Sequence, residues 1–160
     1  MGNQHWYELS ETETASSPAL LVYPERIQYN AALMLQIAED PDRLRPHIKT
    51  HKMGKIIQLQ LQLGIQKYKC ATLAEAELLA HTGAPDVLLA MQPVSIHLEN
   101  LIHLIKNYPK TKFSTLVDNH ESLLDFKQTA LATNLMIDLW LDINNGMDRT
   151  GIKPGKEAEN

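Results

Sequence analysis

The chain has 160 residues, a formal net charge of -4 and an apolar fraction of 44%. That suits roughly one globular domain and offers nucleic acid no basic surface to grip. A single cysteine, Cys70, excludes an internal disulfide and suits a reducing compartment.

The start, "MGNQHWYELSETETASS", has no basic stretch followed by an apolar one, and Trp6 stands where myristoylation needs Ser or Thr. No apolar run approaches the ~20 residues that span a bilayer, so no membrane partner is expected and the default location is the cytoplasm. Residues 1–17 read as a polar, loosely ordered lead-in. "ALLVY" is a short strand candidate. Pro24 then suits the first turn of a helix, "PERIQYNAALMLQIAED", in which Ile27, Ala31, Met34 and Ala38 recur at helical spacing on one buried face.

A rhythm follows. "RLRPHIKTH" reads as a strand and "MGKIIQLQLQLG" as a helix. "KYKCAT" is the next strand, and "LAEAELLAHTG" a helix closed by Gly83. "DVLLAM" is a strand and "SIHLENLIHLIKNYP" a helix stopped near Pro109. "KFSTLVD" is a strand, "NHESLLDFKQTALAT" a helix, and "LMIDLWLDI" a fifth strand. Strand starts lie roughly 20 to 25 residues apart, the spacing of repeated βα units. Such alternation predicts an α/β fold with a parallel sheet, either doubly wound or a (β/α)8 barrel of TIM type. No G-x-G-x-x-G or P-loop follows the early strands, which lowers the nucleotide-binding reading. Five βα units do not close a barrel that usually takes ~250 residues, so as a barrel the chain is an incomplete, front portion.

The segment "RPHIKTHK" sets two histidines, two lysines and an arginine in eight residues. Read as a strand, it puts Arg45, His47, Lys49 and His51 on one face and Leu44, Pro46 and Ile48 on the other. Four basic groups inside a barrel are too costly to desolvate as filler. At the C-terminal mouth of the strand they suit an anionic ligand, although strand edges also carry such residues simply for solubility. The fifth strand leads through Asp142 into "DINNGMDRTG", a Gly146-to-Gly151 loop carrying Arg149, whose planar fork suits an oxyanion or phenolate.

These stretches together, "RPHIKTHK", "CATLAEAELL" and "LDINNGMDRTGI", resemble the fold-type III pyridoxal-phosphate enzymes of the alanine racemase superfamily. The match is closest to the D-threonine aldolase and D-serine dehydratase branch, which carries P-H-x-K-[ST]-H-K. The resemblance runs from about residue 18 onward. It implies that residues 18–160 are the N-terminal part of a pyridoxal-phosphate-binding barrel, with later strands and a C-terminal β-domain outside this chain. It implies Lys49 as the catalytic, Schiff-base lysine and Arg149 as the contact to the cofactor's phenolic oxygen. His47 and His51 occupy the flanking positions and are expected to shape the pocket and hold Lys49. Thr72, Gln92 and Asp118, at strand ends, are plausible lining, with Thr72 counted among the cofactor-binding residues. Met53 stands where racemases of the family have a phosphate-binding tyrosine, which disfavours simple racemization. "PALLVY" matches the family's strand from a second domain. Phosphate-binding loops, divalent-metal ligands and a partner subunit's contribution would all come from outside these 160 residues.

The implied activity is a lyase splitting Cα from Cβ in a β-hydroxy-D-amino acid. Alternatives are a D-serine dehydratase or an amino-acid racemase. The expected partners are a small amino-acid substrate and, at full length, a second copy. The 160-residue chain alone is expected to be inactive. Lysine is a poor nucleophile when protonated, so burial and a positive neighbourhood of Arg45, His47 and His51 are expected to favour the neutral amine.

Two rivals remain. A metal-dependent hydrolase barrel uses two histidines at i and i+2, whereas His47 and His51 stand four apart with Lys49 in the middle slot; it also needs a bridging lysine or carboxylate at a later strand end, and "LVDN" has no lysine there. A non-catalytic pyridoxal-phosphate carrier is disfavoured by the "PALLVY" lead-in. His81, His97 and His103 read as surface or satisfied packing positions on helices. Cys70, Trp6 and Trp140 read as packing residues.

Overall fold

The computed structural model describes residues 5–8, 13 and 15–159. Helix α1 (Pro24–Ala38) begins on the proline, whose preset φ and missing N–H suit a first helical turn. Ile27, Ala31, Met34 and Ala38 form its least exposed face, with Ala31 buried. Single 3-10 turns follow at Pro41–Arg43 and Ile48–Thr50. The alternating part then runs α2 (Gly54–Gln62), β1 (Lys67–Cys70), α3 (Leu73–Thr82), β2 (Asp86–Leu89) and α4 (Ile96–Asn107). It continues through β3 (Lys112–Val117), α5 (His120–Thr133), β4 (Asp138–Leu141) and the short α6 (Lys156–Glu159).

The four strands pair in chain order and all in parallel, with a helix in each connection. This is the βα repeat of a barrel wall. Lys67, Asp86 and Lys112 share one register line, and Ser114 pairs with Asp138. Among the described residues β4 is an edge, with Trp140 and Leu141 half exposed.

Helix boundaries follow local chemistry. Thr72 caps α3, its Oγ1 accepting the Glu75 N–H at 3.2 Å, and Gly83 ends it at φ 96°. Asn119 caps α5 by accepting the Ser122 N–H at 2.8 Å. One sheet face packs on the helices: Tyr68, Cys70, Val87, Leu89 and Phe113 join Ile48, Ile57, Leu79 and Leu101 in a single core. Each large side chain buried there contributes about 1.5–3 kcal/mol. The Tyr68 hydroxyl donates to the Ile65 carbonyl at 2.9 Å, so its burial leaves no open donor. Burial pushes the Cys70 thiol up to about 12, making it an inert core group, as its strand position suggests. His81, His97 and His103 are exposed on their helices.

The expected strands differ in two places. Residues 19–23 form no strand, and Leu20 is 78% exposed. No other segment among the described residues offers them a ladder, and a lone strand is not stable. Of "RLRPHIKTH", only the stretch of residues 44–47 is extended. It touches the sheet through one parallel bridge, His47 to Lys69, and a 2.9 Å bond from the Lys69 N–H to the Pro46 carbonyl. Pro46 has no N–H for a ladder, and the His47 Nδ1 captures the Lys49 N–H at 3.2 Å. The backbone therefore turns at Ile48, and the expected sharing of one strand face by residues 45, 47, 49 and 51 does not hold. Four strands and a bridge stand where five strands were expected.

Of the lead-in, residues 1–4, 9–12 and 14 lie outside the described residues. Trp6 stacks edge-on with Tyr23 at 5.1 Å and under the Arg26 guanidinium at 3.4 Å.

Candidate cofactor site

His47 pairs beside Lys69 near the end of β1, so the turn that follows it lies beyond the C-terminal edge of the sheet. The turn is well anchored. Ile48 is fully buried, and its carbonyl accepts the N–H groups of His51 (3.1 Å) and Lys52 (2.8 Å). Lys49 stands exposed between these anchors. Burial therefore does not supply the expected desolvation of its amine.

The two flanking imidazoles hold backbone. The His47 Nδ1 accepts the Lys49 N–H, and the His51 Nδ1 accepts the Met53 N–H at 3.1 Å. An Nδ1 that accepts a hydrogen bond must be unprotonated. Both rings are held below their ordinary value, consistent with that role. Burial acts first on His47, followed by the positive charges of Lys49 and Lys69; on His51 burial lowers and Glu75 opposes. Arg45 is committed elsewhere. It pairs with Asp86 at 2.6 Å, donates to the Tyr68 carbonyl at 3.2 Å and lies 5.5 Å from the Trp140 ring centroid. That is the N-terminal end of the sheet, so Arg45 does not join a positive neighbourhood around Lys49.

The second half of the site is the loop after β4. Asn144 organises it: Oδ1 accepts from Gly146 (3.0 Å) and Asp148 (3.1 Å), and Nδ2 donates to the Asp148 carboxylate (2.9 Å). The loop closes through a parallel bridge between Ile143 and Ile152. Gly151 makes that closure possible. Its φ is 94°, and a Cβ there would lie 2.7 Å from the Asn144 nitrogen. Asp118 ties the loop to the sheet, its Oδ2 accepting from Gln92 Nε2 at 2.9 Å and from the Gly151 N–H at 3.3 Å. Gln92 and Asp118, read from sequence as lining, thus join two strand ends to the Arg149 loop.

Arg149 lines a cavity of about 240 Å³ with Lys69, Gln92, Leu116, Asp142 and Asn144. The strand ends and the loop build it together. Lys69 and Asp142 were missed as site residues. Strand parity in "KYKC" was enough to find Lys69, since Tyr68 and Cys70 take the core face and leave Lys69 on the other. The Asp142 Oδ2 is buried without a hydrogen-bond partner among the described residues. Lys49 is not part of this lining; His47, which feels the charges of both Lys49 and Lys69, sits between the two positions electrostatically. Thr72 serves as the α3 cap and is exposed.

Among the described residues, no group of three or more His, Cys, Asp or Glu side chains could hold a metal ion, and no helix is long and apolar enough to cross a membrane.

Comparison with known proteins gives this geometry a context. Residues 22–160 match the family model described as the alanine racemase N-terminal domain. The chain is 26% identical over 140 residues to D-threo-3-hydroxyaspartate dehydratase from Delftia sp. (strain HT23), covering 87% of this chain and 36% of that protein. The crystal structure of D-threonine aldolase from Filomicrobium marinum matches with a TM-score of 0.80 at 30% identity, over 89% of this chain and 38% of that one. The structure of the Delftia sp. HT23 dehydratase matches with a TM-score of 0.76. The chain spans 36–38% of the length of these relatives, and its open βα sheet corresponds to the N-terminal part of their barrel.

Proposed function

The chain belongs to the alanine racemase N-terminal domain family, and on that premise we propose that the full-length protein is a pyridoxal-phosphate-dependent lyase. Its substrates are β-hydroxy-D-amino acids, and its reaction is cleavage between Cα and Cβ, giving an aldehyde and a shortened amino acid. The observation that carries the reading is the placement of Lys49. It is an exposed primary amine on an anchored turn at the C-terminal edge of a parallel sheet, the edge from which the Arg149 loop also springs. In parallel βα folds that edge is where chemistry is done.

The residues present fit the cofactor. An aldehyde needs a primary amine, and Lys49 supplies one. A phenolic oxygen held as an anion needs a cation, and Arg149 supplies one from a fork that stays charged. When bound, pyridoxal phosphate supplies an electron-accepting ring for bonds broken at the substrate's α-carbon.

The chain's own residues do the rest. Lys49 would hold the cofactor, and its amine is the group on that side of the site able to carry a proton. His47 keeps the Lys49 backbone in place through its neutral Nδ1. His51 sets the entry to α2. Thr72 acts on the site indirectly, by capping α3. A divalent metal gripping the β-hydroxyl would take its ligands from outside this chain, and a second copy would complete the site.

The experiment is an absorbance spectrum of the full-length protein with pyridoxal phosphate, followed by turnover of D- and L-β-hydroxy-amino acids with and without chelator. A visible band, D-selective release of aldehyde and loss of activity on chelation are expected. No band and no turnover would overturn the reading. A second reading, loss of the β-hydroxyl as water to give a keto acid and ammonia, draws support from the similarity to the Delftia dehydratase. The product assay separates the two.

A further inference from the structure

"RPHIKTHK" contains two lysines, and the proposed function uses only Lys49. Lys52 has a different setting. Its Nζ donates to the Lys49 carbonyl at 2.6 Å and lies 3.4 Å from the Glu75 Oε1. Glu75 is a buried carboxylate, its side chain only 5% exposed. A charge so placed must be paired and hydrogen-bonded. Its second oxygen accepts the Ala71 N–H at 2.8 Å, and its own N–H is taken by the Thr72 cap at 3.2 Å. Glu75 is thereby fixed to the start of α3, and through Lys52 it reaches the turn that bears Lys49.

The backbone supports the same conclusion. Lys52 has φ 48°, a left-handed conformation that a side-chain-bearing residue adopts at a penalty and keeps only when its surroundings hold it. The buried Ile48 side chain pins one side of the turn. On the other side, the only side-chain tie from the Lys49 carbonyl among the described residues is the Lys52 ammonium.

We propose that Lys52 and Glu75 form an ionic latch that fixes the backbone of the Lys49 turn against α3. Lys52 is thus a positioning residue rather than a second reactive amine. The catalytic consequence rests on the reading of Lys49 as the cofactor-holding amine; the latch itself does not.

The test uses the full-length protein and the variants Lys52→Met, Lys52→Arg and Glu75→Gln. Lys52 is more than half exposed, so its variants keep the core intact whatever Glu75→Gln does to folding. Amide hydrogen exchange, measured without cofactor, reads the turn directly. In Lys52→Met the backbone amides of His51 and position 52 are expected to exchange about fivefold faster or more, with distant β2 amides unchanged. Lys52→Arg, which keeps the cation, is expected to restore most of the protection. In turnover, Lys52→Met is expected to lower kcat about ten- to a hundredfold with KM within about twofold, the pattern of a misplaced reacting group. Unchanged exchange in Lys52→Met, or equal acceleration in Lys52→Arg, would overturn the latch. Wild-type protein that takes up no pyridoxal phosphate would instead overturn the functional reading, while the exchange result still decides the latch.

Discussion

The Lys49 turn and the Arg149 loop lie at the same edge of the sheet and are held there by opposite means. The first hangs on a fully buried apolar side chain, Ile48, with imidazole nitrogens and one ionic contact around it. The second has no such peg; it is held by the Asn144 side chain, by Asp118 and by a glycine that alone fits the closure. A turn pinned into a core shares the stability of the whole domain. A loop held by surface hydrogen bonds can open by itself. In the proposed function, the lysine that would hold a group covalently sits on the stiffer support. The arginine that would only meet a charge sits on the looser one.

The contrast can be broken most forcefully at the amine. Lys49→Ala in the full-length protein is expected to lower turnover by about 10²–10⁴-fold or more, the range for losing a positioned proton carrier. It should leave the melting temperature near wild type, because the side chain is exposed. A melting temperature that collapses with activity would mean the residue is structural. Ile48→Ala attacks the peg instead. It is expected to destabilise the fold by about 2–5 kcal/mol in denaturant titration, the range for emptying a buried aliphatic site. Gly151→Ala attacks the loop. Strain at positive φ and the clash with Asn144 are expected to cost about 1–3 kcal/mol locally and to weaken cofactor affinity, with little change in β1 or β2 exchange.

A smaller effect comes from acid. Burial and the nearby lysines lower the affinity of His47 for a proton in the folded state. Above its unfolded value of 6.5 the ring is neutral in both states and nothing is lost. As pH falls below that, the unfolded ring takes a proton first, so stability declines until the lowered folded value is passed. Protonation also removes the acceptor for the Lys49 N–H, so cofactor affinity should fall on the same acid limb. His47→Phe should flatten that part of both profiles. The mildest change is Thr72→Ala, which removes a helix cap worth about 0.5–2 kcal/mol and should move cofactor affinity little.

Much of the architecture was legible beforehand, because it is local. Apolar runs such as "DVLLAM" and the helix-closing Gly83 each announce an element in its own residues. The parallel sheet follows from their alternation. The failures were non-local. "RLRPHIKTH" has strand composition, yet a proline without a donor and a histidine that accepts the backbone N–H two residues on bend it into a turn. "ALLVY" has strand composition as well, but no described neighbour pairs with it. In the candidate site, the basic segment and the glycine-flanked arginine stood out by residue type. Lys69 and Asp142 did not, since a lone lysine in a strand and an aspartate at its end are common surface features. The role of Arg45 depended on Asp86, 41 residues away, a contact no spacing reveals.

The most direct measurement is borohydride reduction of the full-length protein with bound pyridoxal phosphate, followed by peptide mapping by mass spectrometry. The expected result is a single stable pyridoxyl adduct on Lys49. An adduct on Lys69, the amine that shares the Arg149 cavity, or on Lys52, or no adduct at all, would contradict it.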